Sequence, residues 1–154
     1  MLLIAKSNNY LLQQLFSIFV LLQINNYVHM SVVAIKDDAK EILKQVVQAM
    51  QEKKARNIVS LNLVKILDSV AQYFVICQAS STTQVDAIYK NVIDEVQQNC
   101  ELKPFHREGY GNSEWILIDY FDVVVHIFLD DTRAFYKLEE LWADAALKKY
   151  KSDS

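Results

Sequence analysis

The sequence predicts an α/β or α+β domain: a mixed sheet of about five strands flanked by helices. Two glycines and one proline in 154 residues are too few for a turn-rich β-sandwich, a glycine loop that cradles phosphate or a long linker. Apolar residues recur at helical spacing in three stretches and gather into short β-branched runs between them. The resulting order is helix, strand, strand, helix, strand, strand, strand, helix. It fits neither strict βαβ alternation nor an all-antiparallel pattern, which leaves a mixed sheet with helices on its faces. A hydrophobic fraction of 52% with 23% charged residues is that of a globular domain with one core.

Residues 1–29 differ from the rest and read as a leader, either a mis-assigned translation start or a disordered segment, with Met30 as the expected start. The apolar run Leu11–Ile24 is broken by Gln13, Gln14 and Gln23 and falls short of the roughly 20 residues that span a bilayer. No small-residue cleavage pattern follows it, arginine is absent and serine sparse, so a membrane anchor and a transit peptide are disfavoured, while a signal sequence or a membrane-associated segment over 11–24 stays a weaker alternative that depends on the leader being made. The domain is expected over 30–150, with 151–154 a frayed tail.

From Asp37 or Asp38 the spacing of Ala39, Ile42, Leu43, Val46, Val47 and Met50 predicts an amphipathic helix whose early carboxylates suit its dipole. Asn57–Leu63 and Tyr73–Cys77 read as strands. Ser81 with Gln84 fits a capping box, opening a helix with Val85, Ile88, Tyr89, Val92, Ile93 and Val96 inward and ending near Asn99. Pro104–Glu108 is an expected edge strand, and Gly109 and Gly111 turn the chain into Trp115. Two strands follow, Trp115–Asp119 and Val123–Phe128. The second is β-branched and continuous, as in a central strand covered on both faces. Asp131 or Thr132 is expected to cap a last helix with Phe135, Leu138, Leu141, Trp142 and Ala145 inward and Lys148 and Lys149 at its end.

The formal net charge is -3, and Lys6 is the only Lys, Arg, Asp or Glu before residue 30, leaving 15 basic and 19 acidic residues after it. A mildly acidic domain points to a basic protein partner more than to nucleic acid, whose binding is driven by phosphate contacts. Cys77 and Cys100 form no C-x-x-C pair and have no histidine cluster nearby, so free thiols in the cytoplasm are expected, with no metal and no cofactor.

The strand Trp115–Asp119 divides by face. Ile116 and Ile118 point one way, suited to a core, while Trp115, Leu117 and Asp119 point the other. A Trp/Leu patch rimmed by carboxylates has the composition of a protein interface. His126, inside an apolar strand with no second histidine at ligand spacing, reads as a hydrogen-bonded, half-buried side chain.

The runs YFVICQASSTTQVDAIYKNV and EWILIDYFDVVVHIFLDDTRAFYKLEELWADA closely resemble the Iojap family, the bacterial ribosomal silencing factors (RsfS) and their organellar relatives, with the similarity running from about Ala34 to Ala146. The resemblance implies a nucleotidyltransferase-like fold without catalysis. It also implies a protein that binds the large ribosomal subunit at ribosomal protein fourteen, blocks association with the small subunit and represses translation under nutrient limitation, as in stationary phase. The chain departs from the family at Gln78-Ala79, where a glycine-containing turn is usual, and at Phe121, where glycine is frequent.

The alternative is a metal-dependent nucleotidyltransferase or nucleotide-binding enzyme. It needs two carboxylates on one strand face and a Gly-Ser phosphate turn, whereas Asp119 and Asp122 are three apart across an irregular joint and Ala79-Ser80 lacks the glycine. The expected partner-binding residues are therefore Trp115, Leu117, Asp119, Tyr120, Phe121 and Asp122, with no catalytic residues, no direct DNA contact and no membrane contact. The exposed patch could also support a homodimer off the ribosome.

Overall fold

The computed structural model describes residues 38–66 and 69–152, so the expectations for residues 1–29 lie outside it. In chain order the elements are α1 (Asp38–Glu52), β1 (Arg56–Asn62), β2 (Tyr73–Ala79), α2 (Thr82–Cys100), β3 (His106–Glu108), β4 (Trp115–Asp119), β5 (Val123–Leu129), α3 (Asp130–Tyr136), α4 (Leu138–Leu141) and β6 (Ala146–Lys149). The strands form one mixed sheet in the order β3-β4-β5-β2-β1-β6. β2 and β5 are parallel, and every other pairing is antiparallel. As its sequence predicts, β5 is central and buried from Val123 to Phe128.

One sheet face carries Val75, Cys77, Ile116, Ile118, Val125 and Ile127, packed with Ile42, Val46 and Met50 of α1 and Val85, Ile88 and Val92 of α2. The helix spacing read from sequence is thus the spacing that meets the sheet. Ser81 caps α2, its hydroxyl accepting from Gln84 N at 3.2 Å. The second half of the capping box is replaced, because the Gln84 amide donates to the carbonyls of Lys53 and Lys54, each at 3.2 Å. Those carbonyls close the turn after α1, where helical acceptors lack intrahelical donors.

The chain after β5 departs from expectation. A single helix to Ala145 is not formed: Lys137 adopts φ 49°, its N–H donates to Arg133 O at 3.0 Å, and α3 ends there in a left-handed cap. The phase of the helix is reset at that point. Leu138 is buried and Trp142 packs edge-on against Phe74 with ring centroids 5.3 Å apart, but Phe135 and Leu141, expected inward, are each 58% exposed. Nor do Lys148 and Lys149 end a helix. They lie in β6, a sixth strand that pairs along β1 with Leu147 opposite Leu61, satisfying an edge that β1 would otherwise leave open. Asp130 and Asp131 occupy the first turn of α3, and no side chain caps it.

Because a left-handed backbone costs a non-glycine residue about 1 kcal/mol and the Lys137–Glu140 ion pair is exposed, Lys137→Gly should keep the break and raise unfolding stability by about 1 kcal/mol. Urea denaturation would read this. A loss of stability would mean that the lysine side chain holds the break.

Candidate functional site: the second sheet face around Trp115

β4 enters the sheet from a turn that glycine alone permits. Gly109 has φ 80°, and a Cβ there would stand 1.8 Å from the Trp115 carbonyl oxygen. Beyond that turn, alternation places Ile116 and Ile118 under the helices and leaves Trp115 and Leu117 half-buried on the second face. The Trp115 ring packs on Phe128 at 4.8 Å and Tyr136 at 5.0 Å, and its Nε1 donates to His126 Nδ1 at 3.2 Å. A side chain held on several sides is a preorganised anchor, since little rotamer freedom remains to be lost on binding.

His126 is more deeply buried than its sequence suggests, at 1% exposure. With Nδ1 accepting, the neutral ring carries its proton on Nε2, and that atom is buried without a hydrogen-bond partner among the described residues. Burial lowers the pKa from 6.5 to about 3, so the ring is neutral under ordinary conditions and serves as an acceptor that orients the tryptophan.

The expected acidic rim is corrected in part. Asp119 is fully buried, and its Oδ1 accepts from Phe121 N at 2.7 Å. It is a turn-forming carboxylate, tied to the backbone two residues on. Tyr120 is 2% exposed and belongs to the core under the helices, where burial raises its hydroxyl pKa. Neither presents a surface. Phe121 and Asp122 are half-buried. Phe121 sits at φ 67° in a three-residue turn closed by Asp122 N to Tyr120 O at 3.0 Å, a conformation for which glycine is the undemanding choice. Its ring packs on Phe105 at 4.4 Å.

Two exposed apolar residues that the sequence reading missed lie on α3 and α4: Phe135, packed edge-on against Tyr136 at 5.0 Å and so beside the Trp115 patch, and Leu141. No sequence signal marks them, because the spacing of one continuous helix points them inward, and the break at Lys137 gives α3 and α4 separate phases. That segment is itself pinned to the sheet. Asp130 pairs with Arg56 and accepts from Gln78 Nε2 at 2.7 Å, while Arg133 pairs with Glu139 and donates to Asn57 O at 2.7 Å. Gln78 therefore anchors the first turn of α3. Among the described residues no three His, Cys, Asp or Glu side chains gather as a metal site.

Above pH 6.5 His126 is neutral in both folded and unfolded chains. Below that, the unfolded chain takes up a proton that the folded one refuses, so stability should fall by about 1.4 kcal/mol per pH unit down to the folded pKa of about 3. Urea titrations at stepped pH should show this slope and its loss in His126→Gln; equal slopes in both proteins would show that His126 is not the group responsible.

Comparison with known proteins bears on this site as a whole. Residues 36–154 match the family model described as ribosomal silencing factor during starvation. The ribosomal silencing factor RsfS of Halalkalibacterium halodurans is 45% identical over 109 residues, 69% of this chain and 89% of that protein. RsfS of Bacillus subtilis is 41% identical over 109 residues, 70% and 90% of the two chains. A crystal structure of a Chromobacterium violaceum protein superposes with a TM-score of 0.64 at 31% identity, covering 68% of this chain and 85% of that one. No described helix is long and apolar enough to cross a membrane. The match spans every element from α1 to β6, including the segment that carries Trp115 and Phe135, and the chain belongs to the ribosomal silencing factor family.

Proposed function

We propose that the chain docks on the large ribosomal subunit at ribosomal protein fourteen and blocks association with the small subunit, repressing translation when nutrients are limiting. The mechanism requires occupancy alone. The observation that carries the reading is the Trp115 anchor, locked by His126, Phe128 and Tyr136 and bordered by the exposed Phe135. A rigid aromatic at the centre of a surface with apolar neighbours is the usual composition of an interaction hot spot.

The charge of the surroundings supports a basic partner. Glu114 and Asp131, the residues just before β4 and within the first turn of α3, are exposed, and the half-buried Asp122 lies at the far end of β4. Carboxylates around an apolar centre would steer a lysine- and arginine-rich ribosomal protein towards it. Off the ribosome the same patch would be covered by a second copy of the chain in the cytoplasm.

Sucrose-gradient sedimentation with purified large subunits tests this. Trp115→Ala and Phe135→Ala should each weaken co-sedimentation by about tenfold or more while leaving the circular dichroism unchanged, and subunit joining should recover in parallel. Wild-type affinity in both variants would overturn the assigned face.

A further inference from the structure

At the opposite edge of the sheet the fold assembles a charge cluster that is scattered in the sequence. β6 runs antiparallel to β1 with Lys149 opposite Val59 and Lys148 opposite Ser60. The pairing continues through Tyr150 N to Ile58 O at 2.9 Å, and Gln51 Nε2 then holds the Lys151 carbonyl at 2.8 Å. This brings the end of the chain against the α1–β1 turn, which carries Lys53, Lys54 and Arg56. All six of these cations are exposed. Arg56 is paired with Asp130, Glu139 holds Arg133, and Glu52, which accepts from Gln48 and Asn91, keeps its charge beside Lys53, so the surplus of positive charge rests on the five lysines.

We propose that this β6 edge is a second contact surface, for the phosphate backbone of RNA, separate from the Trp115 face. A domain of net acidic composition has no general reason to concentrate five lysines on one edge, and a strip with a surplus of positive charge is the electrostatic footprint of a surface that binds a polyanion. Successive strand residues point to opposite faces, so Lys148 and Lys149 flank the edge on both sides, an arrangement that follows a chain lying along it. The cations are mostly lysines, whose mobile point charges suit backbone contacts that carry no sequence information. A cleft of about 370 Å³ opens beside the strip, lined in part by Asn57, Gln78, Arg133, Glu139, Lys149 and Tyr150; its Arg133 is paired with Glu139 and its Gln78 with Asp130, so Lys149 is the lysine it adds to the strip.

A lipid surface fits less well. Leu147 is the one large exposed apolar side chain in β6, and the Tyr150 ring lies under Lys148 Nζ at 4.9 Å with its hydroxyl on Ser60 at 3.0 Å, so there is little apolar area to insert. The proposal rests on the ribosome reading only for the source of the RNA. The surface itself stands on its own geometry.

The test is binding of a single-stranded RNA of about 20 nucleotides, followed by fluorescence anisotropy from about 50 to 200 mM salt. Lys148→Gln/Lys149→Gln/Lys151→Gln should lose roughly tenfold or more in affinity and flatten the slope of log K against log salt by about 2. Lys40→Gln/Lys44→Gln/Lys90→Gln, the same charge loss at exposed positions elsewhere, should bind as wild type does, and so should Trp115→Ala, whose defect belongs to subunit binding. Equal affinity and slope in the two triple variants would overturn the proposal. Lysine-dependent binding to phosphatidylserine vesicles with none to RNA would overturn it in favour of a membrane.

Discussion

The constraint on which the rest of the structure depends is that β5 must be covered on both faces. Its residues from Val123 to Phe128 are all buried and include no alternating polar set that could face water. The two long helices serve one face. The other is left to the short, broken α3–α4 segment, which reaches Phe74 through Trp142 and the interior through Leu138. That cover runs out towards β4, where Trp115 and Leu117 stay half-open. The candidate docking surface is the margin of an incompletely covered sheet, built by the same requirement that builds the core.

Polar groups inside this arrangement have structural uses that look chemical from a distance. His126 is neutral because burial disfavours its charged form, and its ring nitrogen orients the indole. The Asp119 carboxylate closes the turn at Phe121. A histidine and an aspartate near a half-buried tryptophan would suggest catalysis in a list of residues, whereas their burial and bonding make them supports of the indole and of the turn at Phe121. Charge follows a similar division. Exposed carboxylates lie near the Trp115 face, and lysines gather at the β6 edge, so a chain of nearly balanced composition presents two surfaces of opposite character.

Much of this was legible in the residues because the signals were local. The 3.6-residue spacing of Ala39–Met50 and Val85–Val96, the Ser81 cap, the edge position of β3 and the centrality of β5 each follow from which side chains can face a core at that spacing. The φ of 67° at Phe121 is one that glycine adopts readily, although Phe121 itself gave no sign of a left-handed backbone. The break at Lys137 had no marker either, since neither glycine nor proline stands there, and the periodicity through Phe135 and Leu141 read as one continuous helix.

The sequence alone determined the fold class, the family and the aliphatic face of β4, all of which rest on spacing, β-branching and the likeness of long runs of residues. Only the tertiary structure decided which polar residues were interior, where the last helix stopped and which cations met. Those outcomes depend on partners distant in the chain. Asp119 is buried by what packs on it, the apolar periodicity from Phe135 to Trp142 is broken by one backbone angle at Lys137, and Lys151 reaches Gln51, two residues before Lys53, because β6 finds the free edge of β1.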